Sequence, residues 1–436
     1  MHFDDTKNLN KNSSASLSHI PSIHSTTSKK NKTTSVNFSK REHPKFIGYM
    51  GCKTKLLDPI IQALNDVYQG GAICDLFSGS GTLAGALGNQ CQMIANDIQH
   101  YSTILSDFYL NAWRYPSIPS AEKIIHETEE IVKKNLNCLC KKFGLKVDYT
   151  NINSAEQLLK IEEKQRLLIH ESFDHEYHLF LKYFSGTWWS AEQCVWIDAI
   201  RAVVDQYQHQ PCFDVIFCAL LFAITYANPG IGHRYSFYRE PSSDIAFKEM
   251  IACRKRSIAD LFIKKYNQIL IWLPPHPSSH KNIITTLDYY ECLQTFKGGV
   301  VYADPPYSAS QYSNSYHILE TLVRYDYPAI QKKKDGRFTK ARYRQNKHRS
   351  PFALKSQVKT AFQKLFFGVL NNGSDLVLSY SNTGLLPIDE LIHLARQILN
   401  TACIEVRELK HTHSAMGFNG GKPKKVKEYL ILSRQR

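Results

Sequence analysis

Four consecutive residues, Asp304, Pro305, Pro306 and Tyr307, bring together groups with complementary chemistry at the end of a predicted strand. Proline has a fixed φ and no N–H, so the two prolines hold this segment extended and offer no backbone donor. The Asp304 carboxylate and the Pro305 carbonyl then act as rigid acceptors, and Tyr307 adds a flat ring. An exocyclic amino group on an aromatic base has two N–H bonds and a ring face. The segment is therefore suited to holding such an amine with its lone pair turned towards an electrophile.

A second segment, residues 75–81 (DLFSGSG), joins a short apolar run to a helix of small residues. Its glycines allow a tight turn and close approach to a ligand, and the helix that follows presents free N–H groups. Asn96 and Asp97 end the next predicted strand, where an acidic side chain can hydrogen-bond both hydroxyls of a ribose. Because the third glycine of the dinucleotide fingerprint is missing, the pattern favours an adenosyl cofactor without a pyrophosphate over NAD.

Taken in order, the segments 46–53 (FIGYMGCK), 75–81, 96–97 and 304–307 resemble the successive motifs of the Dam-like, alpha-group N6-adenine DNA methyltransferases. The resemblance covers about residues 45–115 and 283–436. It implies transfer of a methyl group from S-adenosylmethionine to the N6 amino group of an adenine flipped out of double-stranded DNA, with no metal. It makes Asp304, Pro305, Pro306 and Tyr307 the catalytic residues. One departure is Cys52, where the family usually has a second glycine.

The same resemblance implies a cofactor site spread over several motifs. Its residues, from the methionine end of the cofactor to its adenine, are Tyr49 and Lys53, the loop residues Asp75, Phe77, Gly79 and Gly81, then Asp97 at the ribose, and Ile98 and Asp288 at the adenine. Lys53 is also placed to reach the DNA. Asp288 would be explained equally well as the N-cap of a helix.

These residues need a sheet to bring them together, and the apolar runs predict one. Strands are expected at 72–77, 92–98, 283–287, 299–303, 375–380 and 427–433, with helices at 55–68 and 82–88. The strand, glycine turn, helix and strand that open this series are typical of a doubly wound α/β fold. We therefore predict a Rossmann-like, S-adenosylmethionine-dependent methyltransferase sheet built from residues 43–116 and 283–436. Residues 117–282 are predicted to be an inserted, mainly helical target-recognition domain, and residues 1–42 a disordered basic tail.

The chain is basic, with a formal net charge of +15, which is typical of proteins with a polyanionic partner. The segment 331–350 holds nine Lys and Arg residues and one acidic residue. Beside the active site of a DNA enzyme, phosphate contact is the favoured interpretation of this loop. The predicted DNA-binding residues are Lys332, Lys333, Lys334, Arg337, Lys340, Arg342 and Arg344.

Several classes of protein are disfavoured. The eleven cysteines include no CxxC pair, which argues against a zinc site or a disulfide framework. No apolar run is long enough for a membrane span or follows the pattern of a secretory signal, so a cytoplasmic protein of bacterial or phage origin is expected. A cognate restriction endonuclease would be a possible partner.

Alternatives remain at the level of substrate and activity. A methyltransferase acting on RNA or on a protein amide, a cytosine-N4 methylase, and a non-catalytic DNA-binding module with a methylase fold are all compatible with parts of the pattern. Near the catalytic segment, Tyr312 and Tyr316 lie one helical turn apart and either pack or line a base pocket. His317 is expected to be structural, and Asn382 to border the site.

Overall fold

A computed structural model describes residues 37–228, 241, 243–399, 404–409 and 426–435. The described strands are β1 Ile73–Asp75, β2 Met93–Asn96, β3 Ile283–Thr285, β4 Val300–Ala303, β5 Asp375–Ser381, β6 Ile404–Leu409 and β7 Glu428–Ser433. They form one sheet in the order β3-β2-β1-β4-β5-β7-β6. Strands β1 to β5 pair in parallel, whereas β7 runs antiparallel to both β5 and β6. This confirms the predicted Rossmann-like sheet.

Strand β6 was not predicted. Its sequence IEVREL alternates apolar and charged residues, and it lies at the edge of the sheet, where Glu405 is exposed and Val406 is half-buried. The prediction relied on continuous apolar runs, which are typical of strands covered on both faces. A search for period-two alternation would have found this edge strand.

Helices connect and cover the strands. They are α1 Leu57–Val67, α2 Thr82–Leu87, α3 His100–Asn111, α4 Ala121–Phe143, α5 Ala155–Arg166, α6 Leu179–Phe184, α7 Ala191–Asp205, α8 Phe213–Ala227, α9 Asp244–Arg254, α10 Ile258–Trp272, α11 Tyr289–Thr295, α12 Tyr312–Ser315, α13 His317–Arg324, α14 Val358–Asn371 and α15 Ile388–Leu399. Short 3-10 helices lie at Lys53–Leu56, Gly88–Gln90, Leu167–His170 and Pro351–Ala353. No helix of the described chain has the combination of length and apolarity that crossing a bilayer requires.

The sheet separates two apolar cores. Successive residues of a strand point to opposite faces, so Val300 and Tyr302 of β4 belong to one core, and Val301 and Ala303 belong to the other. The second core is completed by α11, α14 and α15. The first is completed by α1, α3 and the helices of the insertion.

The described part of the insertion, between residues 121 and 272, contains helices and no strand of the sheet, in agreement with the predicted helical character. Serine hydroxyls accept a backbone N–H at the start of five of its helices, as expected for N-caps. These are Ser120, Ser154, Ser190, Ser243 and Ser257. Helix α8 is buried almost throughout and packs between α3 and α10. The insertion therefore shares an apolar core with the sheet.

Residues 37–42, which the composition assigns to the predicted tail, are among the described residues. Residues 1–36 lie outside the described residues, but residues 37–42 lie against the fold. Phe38 is buried, its ring centroid is 4.8 Å from that of Tyr68, and its N–H donates to Asn65 Oδ1 at 2.6 Å. These contacts do not favour a tail that extends to residue 42, and the polar composition around Phe38 concealed this one apolar anchor.

Candidate active site

One cavity runs along the carboxyl ends of β2, β1 and β4, where the order of the sheet changes direction and ligands of open α/β sheets bind. Residues of all four sequence motifs line it. Its lining includes Tyr49, Lys53, Asp75, Phe77, Gly79, Asp97, Ile98, Asp288, Asp304, Pro305, Pro306 and Tyr307. Gly81 is the one predicted catalytic or cofactor residue that does not line it. It has a φ of 69° and precedes α2, and a Cβ there would lie 2.8 Å from the Tyr109 ring.

Asp97 holds the glycine loop against β2. Its carboxylate accepts the N–H groups of Gly79 and Gln99, each at 2.9 Å. Burial raises the pKa of Asp97 to about 6, although these hydrogen bonds favour the ionised form. Gly79 has a φ of 52°, and a Cβ there would lie 2.7 Å from Tyr49 Oη. Ribose binding by Asp97 stays a prediction, and its observed contacts position the loop.

Asp75 places a buried carboxyl group in the cavity. Its Oδ1 is buried and has no hydrogen-bond partner among the residues that the structure describes. Burial, together with the nearby carboxylates of Asp304 and Asp97, raises the pKa of Asp75 well above its usual value. A positively charged ligand would relieve this repulsion and favour the carboxylate form.

Lys53 contacts the predicted catalytic carboxylate directly. Its Nζ lies 2.9 Å from Asp304 Oδ1 and 5.0 Å from the centroid of the Tyr307 ring. Burial raises the pKa of Asp304, and the ammonium of Lys53 opposes this change. The family resemblance implied a place for Lys53 near the methionine end of the cofactor, whereas here it pairs with Asp304. An amine that approaches Asp304 therefore has to compete with Lys53.

Glu428, at the start of β7, is a site residue that sequence reasoning missed. It is fully buried, and its Oε1 accepts the hydroxyl of Tyr307 at 3.2 Å. The Tyr307 ring also packs edge-on against Tyr380, and its carbonyl accepts the N–H of Leu385. One signal for this residue was present in the sequence, an acidic side chain at the start of a mainly apolar strand. That signal could not show that Glu428 would contact Tyr307.

Asp288 is an N-cap as well as a residue of the cavity. Its Oδ1 accepts the N–H of Tyr290 at 2.9 Å at the start of α11. Asp288 also lines the cavity, as does Ile98. The two interpretations of Asp288 are thus compatible, and adenine binding stays a prediction.

The tyrosines after the catalytic segment pack against the motif that contains Tyr49. The Tyr316 ring is fully buried and stacks on Tyr49 at 4.9 Å, and its hydroxyl accepts the N–H of Met50. Tyr312 donates to the Met50 carbonyl at 3.0 Å and also lines the cavity. Tyr316 is therefore structural, whereas Tyr312 both packs and borders the site.

His317 and Asn382 have structural surroundings. His317 is buried, and burial lowers its pKa to about 3, so the ring is neutral at physiological pH. Asn382 exchanges hydrogen bonds with the backbone of Lys427 between the ends of β5 and β7. It is not among the residues that line the cavity.

The predicted DNA-binding loop divides into an exposed part and a buried part. Lys332, Lys333, Lys334, Arg337 and Lys340 are exposed, and Arg337 pairs with Asp335 at the surface. Arg344 is buried and forms two hydrogen bonds to Asp326, at 2.7 and 2.6 Å. Arg342 is also buried, beside the ring of Phe338. Their burial does not favour the predicted phosphate contact for these two arginines, and the sequence could not show that the segment folds back and covers them.

Within the described ranges, no group of three or more His, Cys, Asp or Glu side chains could hold a metal ion. The cavity offers carboxylates, one lysine and aromatic rings. These groups suit a cationic ligand that binds next to hydrogen-bond acceptors for an amino group.

Comparison with known proteins matches this site to one family. The family model described as D12 class N6 adenine-specific DNA methyltransferase matches residues 49–183 and 259–371, more than half of the chain. The matched residues include every predicted catalytic and cofactor residue. Glu428 lies outside them.

Curated relatives are similar over most of the chain. Modification methylase LlaI of Lactococcus lactis subsp. lactis is 25% identical over 402 residues, which cover 89% of this chain and 55% of the relative. Type II methyltransferase M.FokI of Planomicrobium okeanokoites is 26% identical, over 79% of this chain and 46% of the relative. Type II methyltransferase M.NlaIII of Neisseria lactamica is 23% identical, over 79% of this chain and 86% of the relative. The chain thus spans about half the length of the first two.

Proposed function

Because the chain belongs to the D12 class N6 adenine-specific DNA methyltransferases, we propose that it methylates the N6 amino group of an adenine flipped out of double-stranded DNA, with S-adenosylmethionine as the methyl donor. One observation carries the proposal: Asp304–Tyr307 and the glycine loop 75–81 line the same cavity. The proposed hydrogen-bond acceptors for the amine and the proposed nucleoside-binding loop then border one space, as direct transfer between two bound molecules requires.

The residues present fit the cofactor. Three carboxylates, Asp75, Asp97 and Asp304, face the cavity with Lys53 as their cation, so the site favours a ligand with positive charge. S-adenosylmethionine carries an ammonium and a sulfonium, and its chemistry is an electrophilic methyl group on sulfur. Asp75 would hold the ammonium, Asp97 the ribose, and Ile98 and Asp288 the adenine.

The catalytic segment would hold and orient the target. The Asp304 carboxylate and the Pro305 carbonyl accept the two N–H bonds of N6, and the Tyr307 ring stacks on the base. A bond forms between N6 and the methyl carbon as the carbon–sulfur bond breaks with its electron pair on sulfur. Asp304 would stabilise the positive charge that develops on N6, and N6 would then release one proton to solvent. Removing such a preorganised interaction costs roughly 10²–10³ in rate.

The DNA would be held by the insertion and by the exposed lysines of the basic loop, with base contacts from the insertion setting the recognition sequence. The names of the relatives support action as the modification enzyme of a restriction–modification system, with a cognate endonuclease as partner. Such an enzyme would work on DNA in the cytoplasm of a bacterial cell.

The test is transfer of labelled methyl from S-adenosylmethionine to unmethylated genomic DNA, followed by digestion to nucleosides. We expect label in N6-methyladenine with the native protein and a loss of at least ~10²-fold with Asp304→Ala. Label in N4-methylcytosine would show that the target base is cytosine and not adenine. Unlabelled DNA with retained cofactor binding would overturn the proposal and make RNA or a protein amide the substrate to test.

A further inference from the structure

Two ionisable side chains, Lys53 of the cavity and Glu428, which is not among the cavity-lining residues, meet at the same tyrosine. Burial raises the pKa of Glu428, and the Lys53 ammonium opposes this change. Lys53 Nζ lies over the Tyr307 ring at 5.0 Å, and the Tyr307 hydroxyl donates to Glu428 Oε1 at 3.2 Å. Neither charge is exposed, since Lys53 is 8% exposed and Glu428 is fully buried. Glu428 comes from β7, far in sequence from the other site residues, and lies outside the segments matched by the family.

Lys53 occupies the positions that a target base needs. It is 2.9 Å from the Asp304 carboxylate, which would accept an N–H of the amine, and it covers the ring on which the base would stack. If a base binds there, the ammonium has to leave. A buried ammonium without a counter-ion is strongly destabilised, so it needs a second carboxylate within reach of its flexible side chain.

Glu428 is the carboxyl group that the geometry offers for this role, because it accepts the hydroxyl of the tyrosine whose ring Lys53 covers. After Asp304, it is the carboxylate that contributes most to favouring the charged form of Lys53 and raising the pKa of its ammonium. Its carboxylate also fixes the hydroxyl end of the tyrosine that Lys53 covers.

We propose that Glu428 is a positioning residue that receives the Lys53 ammonium when a target amine replaces it at Asp304, while the same carboxylate holds the Tyr307 ring for stacking. This inference rests on the proposed function. The Lys53 ammonium then moves between the carboxylates of Asp304 and Glu428, and the base can enter only as the ammonium leaves Asp304.

The first experiment compares Glu428→Gln with the matched control Glu408→Gln. Glu408 lies on the neighbouring strand β6 and pairs with Lys427 at the surface. Glutamine keeps a hydrogen-bond acceptor for Tyr307 but removes the charge needed by Lys53. We expect Glu428→Gln to lower kcat by about 10-fold or more, the scale of coupling between groups in contact, with unchanged cofactor affinity and Tm. Glu408→Gln should retain native kinetics.

The second experiment separates the two roles of Glu428. Base flipping is measured with duplex DNA that carries 2-aminopurine next to the target adenine, so that the target keeps its amino group. If Glu428 receives Lys53, Glu428→Gln impairs flipping and the double variant Lys53→Met/Glu428→Gln regains it, because no ammonium then blocks Asp304. If Glu428 acts only through the tyrosine hydroxyl, Tyr307→Phe reproduces the loss and removing Lys53 restores nothing, which would overturn the inference.

Failure of the inference and failure of the proposed function are distinguishable in these assays. A native protein that neither methylates nor flips adenine overturns the proposed function, and the inference with it. A native protein that does both, with Glu428→Gln indistinguishable from it, overturns the inference alone.

Discussion

The ionisation of Asp304 is governed by two opposing effects. Burial raises its pKa above the usual value, and the Lys53 ammonium at 2.9 Å lowers it. The ionised carboxylate is the stronger acceptor for an N–H of the target amine, and only this form carries a charge that offsets the positive charge developing on N6. The value of kcat/KM, which reports the ionisation of the free enzyme, should therefore fall as pH falls through the raised pKa of Asp304.

The first prediction concerns this pH dependence. Lys53→Met removes the charge that favours the carboxylate, so the acid limb of the kcat/KM profile should move to higher pH than in the native protein. The profile is measured with saturating cofactor, and cofactor affinity is followed separately as a control. A limb that stays in place or moves to lower pH would show that Asp304 is not the group being titrated.

The second prediction concerns Gly79. Alanine there has to adopt a φ of 52° and places its Cβ 2.7 Å from Tyr49 Oη. We expect Gly79→Ala to lose about 1–3 kcal/mol of stability from backbone strain, and to weaken cofactor binding as the hydrogen bond to Asp97 shifts. Gly373→Ala is the matched control, since Gly373 has a φ of 68° with open space around it. Equal cofactor affinity in the two variants would contradict a role for the loop in binding.

At the scale of elements, the hairpin-like segment 330–344 combines a structural base with an exposed tip. Ile330 bridges to Arg344 at its base, where Arg344 pairs with Asp326, and the Ala341 carbonyl accepts the indole N–H of Trp188 from the insertion. Lys332, Lys333 and Lys334 are exposed at the other end. The same run of cations thus serves both folding and, by our proposal, DNA binding.

The third prediction separates these two roles. Replacing the three lysines by alanine should reduce the slope of log K against log salt by up to about 0.9 for each phosphate that the variant no longer neutralises, without changing Tm. Arg344→Ala should instead lower stability by about 1.5–3 kcal/mol, because it removes charge-assisted hydrogen bonds in a buried position. A triple variant with the native salt slope would remove this loop from the DNA interface.

Elements also show where sequence reasoning succeeds. The strands that carry the motifs are buried on both faces, so their continuous apolar runs were visible. Strand β6 lies at the sheet edge and none of its residues is fully buried, and Phe38 packs through a single side chain, so neither raised the local hydrophobicity enough to be noticed. The pairings of Lys53 with Asp304 and of Tyr307 with Glu428 join distant positions, and only the assembled sheet determines them.

At the scale of the whole molecule, the sheet and the insertion share one apolar core. Helix α8 of the insertion packs on α3 of the sheet domain, and both belong to one core. The insertion is also held internally by a buried ion pair, in which Arg254 donates to both oxygens of Glu162.

The fourth prediction follows from this shared core. Urea unfolding should show one cooperative transition, with α8 and β4 losing hydrogen-exchange protection together. Glu162→Gln leaves Arg254 buried with a weakened partner and should destabilise both regions equally, by roughly 3 kcal/mol. Earlier loss of protection in the insertion alone would show that it unfolds as an independent unit.

The position of Glu428 on β7 has a consequence for synthesis. Strand β7 inserts between β5 and β6, so a residue made late completes a site whose lysine was made early. At about 5–20 residues per second, a ribosome needs tens of seconds to travel from Lys53 to Glu428. A nascent chain would expose the cofactor loop during that time without the carboxylate that accompanies Tyr307. Until β7 joins the sheet, a nascent chain should therefore modify DNA more slowly than the folded protein.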